Sequence, residues 1–411
     1  MTHQPRAIVI GGSVGGLFAA NLLRAIGWES IVFERASEDL AGRGAAIGVT
    51  EELFEVLRRI GVRLDTSAGV VVRSIIALDH TGRITHKVAR NPVTDAWARI
   101  YRPLKQQLPA SCFHAAKTLA RVEEGSGTVT AIFTDGSRAQ SELLIGADGI
   151  NSVVRQQFSP AVQPRYAGYV AWRGIVEEAD VAPGDRALVF DHLTFGFAER
   201  EMMVCVPIPA ETDTRAGPRR CCYVWYRPAD YDTELSALCT DASGRRHGHA
   251  IPPTLIRREV IDDIKASAAR QFPPVIAGIV ARVERPLLQA IFDLEASRIV
   301  FGRVALLGDA AFVARPHVIA GVTKAALDAR GLADALAANT NIEAALAAYE
   351  CERLTFGSKI VAHARHLGAH LETHDKPGQA LRERETGPRP DIILREYGAP
   401  HLLSDPIPAN T

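Results

Sequence analysis

Three short glycine loops, far apart in the chain, carry the residue types that could hold an extended dinucleotide cofactor. They are Gly11-Gly12-Ser13-Val14-Gly15-Gly16, Gly146-Ala147-Asp148-Gly149 and Gly308-Asp309-Ala310-Ala311. Glycine lets a diphosphate approach the backbone closely, and a carboxylate accepts hydrogen bonds from ribose or polyol hydroxyls. A single glycine loop is weak evidence, because such turns are common. Three of them in this order indicate one cofactor that is contacted at its diphosphate, along its chain and at its ring.

The first loop departs from the strict G-x-G-x-x-G pattern. Ser13 replaces the middle glycine, but serine is small and its hydroxyl can donate to a phosphate. Free amides at the start of the following helix attract a diphosphate. Glu34, at the end of the next strand, stands where an acid accepts hydrogen bonds from the adenosine ribose. Arg35 beside it can stack on adenine or neutralise phosphate. For the glycine loop taken alone, a plain strand-to-helix turn is the alternative.

Alternating strands and helices must position the three loops. Residues 7–34 read as strand, helix and strand, and the two strands are parallel because a helix lies between them. Residues 142–145 predict a further parallel strand, which delivers the acid of the second loop at its end. Residues 299–307 predict the strand before the third loop. Two helices are expected after it, over about 321–338 and 342–370.

This combination resembles the class A flavoprotein aromatic hydroxylases, the family of para-hydroxybenzoate hydroxylase, over nearly the whole chain. In that family the second motif, matched here by Asp148 and the residues behind it, serves both FAD and the nicotinamide donor. The third motif, matched by Gly308 and Asp309, binds the ribityl chain, and the residues after Pro316 place a helix N-terminus beside the flavin ring. The predicted cofactor-binding residues are Gly11, Ser13, Val14, Gly16, Glu34, Arg35, Tyr101, Leu119, Asp148, Gly308, Asp309, Pro316, Gly321, Val322 and Thr323.

Three stretches resemble more narrowly the hydroxylases of dihydroxypyridines: Gly11-Gly12-Ser13, residues 166–170 with 172–174, and Arg315-Pro316-His317 with Gly321. One feature of the wider family is displaced. An arginine usually opens an R-x-x-L-x-x-x-L helix, whereas here that frame begins at Tyr101, with Arg99 and Arg102 beside it. The sequence leaves open which of these three residues meets the FAD phosphates.

The predicted fold class is α/β, with a Rossmann-type FAD-binding domain, an inserted mixed or antiparallel β-sheet substrate domain, and C-terminal helices. The predicted boundaries are 1–69, 99–165 and 284–375 for the FAD-binding domain, 70–98 and 166–283 for the substrate domain, and 376–411 for a C-terminal tail without predicted structure. The long strands predicted in the substrate domain are 169–176, 187–197, 202–208 and 221–226.

The bulk composition excludes several classes of function. Lys+Arg and Asp+Glu both number 47, and no basic stripe indicates a nucleic-acid partner. No apolar run approaches the ~20 residues needed to cross a bilayer, and no export signal is evident. These features predict a cytoplasmic protein without a membrane partner. The six cysteines show no metal-ligand spacing, so no metal site is predicted and the thiols are expected to be reduced and buried.

The resemblance implies that NADH or NADPH reduces FAD, and that the reduced flavin captures dioxygen as a flavin hydroperoxide. An electron-rich ring attacks the terminal oxygen faster once its hydroxyl has lost a proton, so a base near the substrate is expected. His317 is the leading candidate, with a turn cap as the alternative. His192, on an aromatic strand, is the second candidate. Tyr223 and Trp225 lie on one face of a predicted strand and could line the pocket, although ordinary sheet packing explains them equally well.

The sequence therefore predicts an FAD-dependent, NAD(P)H-using monooxygenase that hydroxylates a hydroxylated pyridine or a related small aromatic. No Arg or Lys stands out as a partner for a substrate carboxylate, which favours an uncharged or hydroxylated heteroaromatic. The open alternatives are a hydroxybenzoate or purine substrate, and a non-oxygenase FAD-binding redox sensor. A flavin halogenase is disfavoured because the chain lacks a W-x-W-x-I-P motif. The resemblance alone suggests a homodimer.

Overall fold

The computed structural model describes residues 4–43, 46–64, 69–210, 218–372 and 389–398. Its strands are β1 Arg6–Ile10, β2 Glu29–Phe33, β3 Ala46–Val49, β4 Val70–Val71, β5 Ser74–Leu78, β6 Ile84–Val88, β7 Val93–Ala96, β8 Phe113–His114, β9 Leu119–Glu124, β10 Val129–Phe133, β11 Arg138–Ser141, β12 Leu143–Gly146, β13 Arg165–Glu177, β14 His192–Ala198, β15 Glu201–Pro209, β16 Arg219–Pro228, β17 Leu287–Glu295, β18 Val300–Phe301, β19 Val304–Leu306 and β20 Phe312–Val313. Its helices are α1 Val14–Ala25, α2 Glu51–Arg59, α3 Trp97–Gln106, α4 Val153–Phe158, α5 Arg186–Phe190, α6 Glu234–Leu238, α7 Arg258–Gln271, α8 Pro274–Arg282, α9 Gly321–Ala338, α10 Ile342–Gly368 and α11 Pro390–Glu396.

A six-stranded sheet brings the three glycine loops together. Its strand order is β18-β19-β12-β1-β2-β8, and every pair is parallel except β18 with β19. Strands β12 and β19 and the part of β1 that follows Arg6 are buried, as parallel strands covered on both faces are. The first, second and third loops follow β1, β12 and β19, which are neighbours in the sheet. Because parallel strands end at the same edge, loops remote in sequence meet there. The Rossmann-type prediction is confirmed.

An eight-stranded sheet supplies the second layer of the fold. Its order is β20-β17-β13-β16-β15-β14-β5-β6, and it is antiparallel except where β14 pairs with β5. One face buries Trp172 and Trp225 in a cluster with Phe272, which lies between α7 and α8, and with side chains of both helices. The opposite face buries Tyr169 and Tyr226 in a separate cluster. Successive side chains of a strand point to opposite faces, so neighbouring aromatic residues enter different cores.

Two small sheets, β11-β10-β9 and β3-β7-β4, complete the strand pairing. The helices predicted over 321–338 and 342–370 are α9 and α10. In the part of the chain that the structure describes, no helix combines the length and the apolar character that crossing a membrane requires.

The structure corrects the predicted single strand over 187–197. Residues Arg186–Phe190 form α5, and β14 begins only at His192. The run Ala187-Leu188-Val189-Phe190 is continuously apolar, and such a run is compatible with a buried helix as well as with a strand. The expectation of buried thiols is also wrong at two positions, because Cys351 is exposed and Cys112 is only partly buried; all six cysteines are free.

The predicted domain boundaries remain a prediction, but two elements bear on them. Strand β17 pairs with β13 and so belongs to the eight-stranded sheet, although the sequence placed residues from 284 onward in the FAD-binding domain. Helix α11 lies within the predicted tail and buries Ile393 and Leu394. The tail residues 376–388 and 399–411 lie outside the described residues.

Candidate active site

The first and second loops touch each other where glycine is required. Gly11 has φ +111°, and a Cβ there would stand 2.3 Å from the carbonyl oxygen of Ala147. A Cβ on Gly16 would stand 1.9 Å from the carbonyl oxygen of Gly11, so the helix packs directly against the turn. The amide of Ala147 donates to the carbonyl of Ile10 at 2.8 Å. No larger side chain fits at either glycine without moving the backbone.

The acid at the end of β2 is fixed by backbone amides of the first loop and of the chain beyond it. Glu34 is buried, and its Oε2 accepts from the amide of Gly12 at 2.6 Å while its Oε1 accepts from the amide of Ala36 at 2.8 Å. Charge-assisted bonds of this kind hold a carboxylate in one orientation. Glu34 therefore faces the space beside the first loop in a preset position.

Two cavities open along the edge of the six-stranded sheet. The loop compartment, of about 490 Å³, lies between the first loop, the end of β2 and the second loop. The sheet compartment, of about 390 Å³, lies between the first loop, the third loop and the eight-stranded sheet. The residues that line both are Ser13, Ala46, Ile47, Trp97, Ala147, Gly149 and Arg173. This shared wall makes the two compartments one continuous cleft.

Most of the predicted cofactor-binding residues line this cleft. Those in its wall are Gly11, Ser13, Val14, Glu34, Arg35, Leu119, Asp148, Gly308, Asp309, Pro316, Gly321 and Val322. Gly16, Tyr101 and Thr323 are not in the wall. Gly16 serves the packing of α1 on the turn, and Thr323 is fully buried in α9. Tyr101 stacks on Trp97 with 4.8 Å between ring centroids, so Trp97 presents its ring to the cleft and Tyr101 lies behind it.

The structure also places the arginines beside Tyr101. Arg99 forms a buried ion pair with Asp95 at 2.8 Å, and Arg102 is exposed; neither lines the cleft. Among the described residues, the cations in the wall of the loop compartment are Arg35, Lys117 and Arg173. The displaced family arginine therefore has no direct replacement at positions 99–102.

The two carboxylate oxygens of Asp148, the acid of the second loop, differ in their hydrogen bonding. Asp148 Oδ2 accepts from the amides of Val153 and Val154 at 2.7 and 3.3 Å and so caps α4. Its Oδ1 is buried without a hydrogen-bond partner among the described residues. Burial raises the pKa of Asp148, although hydrogen bonds from Ser152 and the two amides oppose this. The unpartnered oxygen suits a ligand hydroxyl.

A buried arginine joins the second loop to the third. Arg155 is fully buried, and its guanidinium donates to the carbonyls of Ala310 at 3.1 Å and Ile150 at 2.6 Å. Burial lowers the pKa of Arg155. It does not line the cleft, so its contribution is to hold the two loops at a fixed separation.

A charged network supports the third loop from below. Gly308 has φ +63°, and its amide donates to Asp328 Oδ2 at 3.0 Å. Asp328 also contacts Lys324 at 3.3 Å and Arg353 at 2.9 Å, all three being buried. Burial opposes the charge of Asp328, but the two cations outweigh it and lower its pKa. Asp309 is exposed toward the sheet compartment, so its carboxylate is open to a ligand there.

The wall facing the third loop comes from the eight-stranded sheet. It contains Arg173 of β13, Cys222, Val224 and Tyr226 of β16, and Gln289 of β17. Arg173 is half-buried, and its Nε has no hydrogen-bond partner among the described residues. Burial raises the pKa of Tyr226 to about 12, with Arg173 opposing the rise. A cation and a neutral phenol thus share a wall that is otherwise largely apolar.

Of the two interpretations of Tyr223 and Trp225, the structure favours ordinary sheet packing, because neither residue lines the cleft. Both side chains point to the helical face of the sheet, where a Cβ on Gly174 would meet the Tyr223 ring and where Trp225 donates to Glu201 at 2.7 Å. Strand alternation explains this placement, because the cleft receives the even-numbered residues of β16. Tyr226 is one of these even-numbered residues, so the correct choice of strand face would have predicted it as a lining residue.

The two histidine candidates for a base do not line the cleft. His192 Nδ1 shares a hydrogen bond with the hydroxyl of Ser74 at 2.8 Å, and burial lowers its pKa. His317 is buried, its Nε2 bonded to the hydroxyl of Tyr169 at 2.8 Å and its ring 4.5 Å from that of Tyr226. Burial, followed by His370 and Arg315, lowers the pKa of His317 well below its ordinary value, so the ring is neutral.

The residues of the cleft wall that the sequence analysis did not predict are Arg173, Tyr226, Gln289 and Tyr397.

Comparison with known proteins decides what the cleft holds. A family model described as an FAD binding domain matches residues 5–217, and one described as FAD binding domain-like matches residues 166–293. The chain belongs to this FAD-binding family. The glycine cradle and the unpartnered Asp148 oxygen fit that cofactor, so the predictions of fold class and of FAD are confirmed. The chain is an FAD-dependent monooxygenase of the aromatic hydroxylase class.

Relatives cover nearly all of the chain. The 2,6-dihydroxypyridine 3-monooxygenase of Paenarthrobacter nicotinovorans is 32% identical over 373 residues, which are 89% of this chain and 91% of that protein. An FAD-dependent urate hydroxylase of Klebsiella pneumoniae is 29% identical over 93% of this chain and 96% of that protein. The solved 2,6-dihydroxypyridine-3-hydroxylase of Arthrobacter nicotinovorans superposes with a TM-score of 0.84 at 30% identity, covering 92% of this chain and 96% of that one. The redox-sensor alternative is not favoured.

Proposed function

We propose that this chain hydroxylates a small aromatic ring that carries hydroxyl groups, with a hydroxylated pyridine as the leading substrate and NADH or NADPH as the electron donor. The observation that carries the proposal is the pairing of Arg173 with Tyr226 in the sheet compartment. A guanidinium and a phenol on one wall suit a ring whose hydroxyl has become an oxyanion. The relatives of the chain include an enzyme named for a dihydroxypyridine.

FAD would be held along the whole cleft. Glu34 and the first loop would contact the adenosine and diphosphate, and Asp309 the ribityl hydroxyls. Bound FAD supplies hydride acceptance from the nicotinamide and activation of dioxygen. The start of α9 at Gly321 directs free amides at the sheet compartment, and a helix N-terminus favours nearby negative charge by about 1 kcal/mol.

The substrate would be activated by its surroundings in the sheet compartment. A ring hydroxyl that loses its proton makes the ring carbons more nucleophilic, and Arg173 would stabilise that charge. Val206 and Val224 in the same wall would exclude water, which strengthens the interaction. Since His317 does not line the cleft and lies behind Tyr226, we propose that it positions the tyrosine and does not itself remove the proton.

A panel of substrates tests the proposal. NADH and NADPH oxidation would be followed with 2,6-dihydroxypyridine, with urate and with 3-amino-4-hydroxybenzoate, while hydrogen peroxide and product are quantified. We expect the dihydroxypyridine to stimulate oxidation most and to yield hydroxylated product with little peroxide. Preference for urate would favour the purine alternative. Oxidation that no aromatic stimulates would overturn the proposal. A homodimer and a cytoplasmic location remain predictions, to be tested by light scattering and by fractionation.

A further inference from the structure

A segment near the end of the chain reaches the sheet compartment. Tyr397, one residue past α11, is 3% exposed and forms part of the compartment wall together with Arg173 and Tyr226. Composition gave no reason to expect this, because the region is rich in proline and charge. The wall is therefore built from β13, from β16 and from a part of the chain that follows both domains.

Main-chain hydrogen bonds hold this segment in place from two sides. The guanidinium of Arg90 donates to the carbonyl of Arg395 and to the carbonyl of Tyr397, both at 3.0 Å. The amide of Gly398 donates to the carbonyl of His317 at 3.2 Å, and Gly398 adopts φ +84°, which glycine accommodates without strain. Tyr397 is thus fixed on both sides along the backbone.

Apolar packing adds to these hydrogen bonds. The ring of Tyr397 meets the ring of Phe195 edge to face with 4.8 Å between centroids. Ile393 and Leu394 are buried in the same cluster as Phe195. A helix of seven residues has little stability of its own, so α11 depends on this packing for its position. Its anchoring to the sheet is what brings Tyr397 to the cleft.

We propose that residues 389–398 form a strap that completes the substrate compartment, that Tyr397 determines which ring the compartment accepts, and that Arg90 is a positioning residue for the strap. The proposal rests on the proposed function for its choice of substrates. Because Tyr397 lies in the same wall as Arg173 and Tyr226, we expect it to restrict the space beside Arg173 and so to favour a single aromatic ring over a fused pair. We expect that removal of the Tyr397 ring opens space that a bicyclic substrate can occupy.

Four variants of the FAD-loaded full chain test this proposal: Tyr397→Ala, Tyr397→Phe, Arg90→Gln and, as a matched control, Arg395→Gln. The Arg395 side chain is exposed, and its carbonyl, the atom that Arg90 binds, is kept in the control. For 2,6-dihydroxypyridine we expect Tyr397→Ala and Arg90→Gln to raise KM about 10-fold and to release more peroxide per NAD(P)H oxidised. Tyr397→Phe, which keeps the ring, and Arg395→Gln should stay close to the wild type. For urate, kcat/KM should rise in Tyr397→Ala relative to the dihydroxypyridine.

A second readout separates this proposal from the proposed function. Iodide quenching of bound-FAD fluorescence reports access to the compartment without turnover. We expect stronger quenching in Tyr397→Ala and Arg90→Gln, with FAD still bound. If quenching, KM and peroxide yield all match the wild type, the strap proposal is overturned. If quenching rises while the wild-type protein hydroxylates none of the aromatics tested, the strap stands as a wall of the cleft and the proposed function fails.

Discussion

The carboxylate of Glu34 accepts a hydrogen bond from the amide of Gly12, with 2.6 Å between Oε2 and N. This contact joins the end of β2 to the glycine loop that follows β1. It fixes the separation between two groups that would hold opposite ends of the adenosine diphosphate. The loop compartment is therefore shaped before the cofactor arrives, which reduces the ordering cost of binding.

Replacement of this acid should weaken FAD binding. In Glu34→Gln the side chain loses its charge, and its NH2 group can face the Gly12 amide. Hydrogen bonds to charged groups contribute about 1.5–3 kcal/mol, so we expect the FAD dissociation constant to rise by about 10- to 100-fold. A fluorescence titration of apoprotein with FAD measures it. Glu29→Gln is the control, because Glu29 lies at the start of β2 and makes an exposed ion pair with Arg6 of β1 in addition to its strand pairing. Equal affinities for wild type and Glu34→Gln would refute the role of Glu34.

The variant Gly321→Ala should lower FAD affinity without lowering the stability of the protein. A Cβ at Gly321 meets no protein atom within 4 Å, so the protein itself tolerates alanine. We expect the unfolding temperature of the apoprotein to stay unchanged but the FAD affinity to fall about 10-fold, because the flavin approaches the helix start closely. Scanning calorimetry of the apoprotein measures the first quantity, and titration calorimetry with FAD measures the second. Gly184→Ala, also free of contacts and outside the cleft, is the control. Undiminished FAD binding by Gly321→Ala would place the flavin elsewhere.

Loss of Arg173, one of the arginines in the wall of the sheet compartment, should impair substrate use more strongly than FAD binding. For Arg173→Gln we expect kcat/KM to fall by about 10- to 100-fold, mainly through KM, because the ring oxyanion loses a charged partner. The preferred pH should rise as well, since the substrate hydroxyl is then deprotonated less readily. Steady-state kinetics across pH measure both effects. Arg165→Gln, an exposed position on the same strand, should behave as the wild type. An unchanged KM in Arg173→Gln would contradict the proposal that Arg173 contacts the substrate.

Buried neutral histidines should make the protein less stable in mild acid. Burial lowers the pKa of His370 from its ordinary 6.5 to about 4. Below pH 6.5 the unfolded chain therefore binds a proton at His370 that the folded chain does not bind. The contribution of His370 to the free energy of unfolding is complete above pH 6.5 and is lost as the pH falls toward 4. Between pH 6.5 and 5 the loss is about 2 kcal/mol. The free energy of unfolding should fall over this range, and less so in His370→Gln. Denaturant titrations at pH 7 and pH 5 measure it, with the exposed His80→Gln as the control. Equal pH dependence in wild type and His370→Gln would contradict the prediction.

The cofactor half of the cleft could be predicted from the sequence because its signals are local. Gly11, Glu34 and Asp309 each follow a buried apolar strand, and parallel strands bring their ends to one edge. Tyr101 was misplaced because the sequence frame does not reveal which of two stacked aromatic rings, Trp97 or Tyr101, faces the cavity.

The substrate half depends on information that the sequence does not display. The choice between Tyr223 and Tyr226 rests on which face of β16 meets the cofactor layer, and a strand with large residues on both faces shows no alternation. Arg173 lies within residues 166–174, which resemble the hydroxylases of dihydroxypyridines, yet only its register beside β16 places it at the cleft. Tyr397 reaches the wall through long-range contacts with Arg90 and Phe195.

Incorporation of labelled dioxygen tests the central claim most directly. The FAD-loaded protein would be given NADH or NADPH, 2,6-dihydroxypyridine and isotope-labelled dioxygen, and the product analysed by mass spectrometry. We expect one labelled oxygen atom on the ring, formed in proportion to the nicotinamide oxidised. Product that carries oxygen from water, or nicotinamide oxidation that yields only peroxide with every hydroxylated aromatic supplied, would contradict a cleft built to hold FAD and an aromatic substrate together.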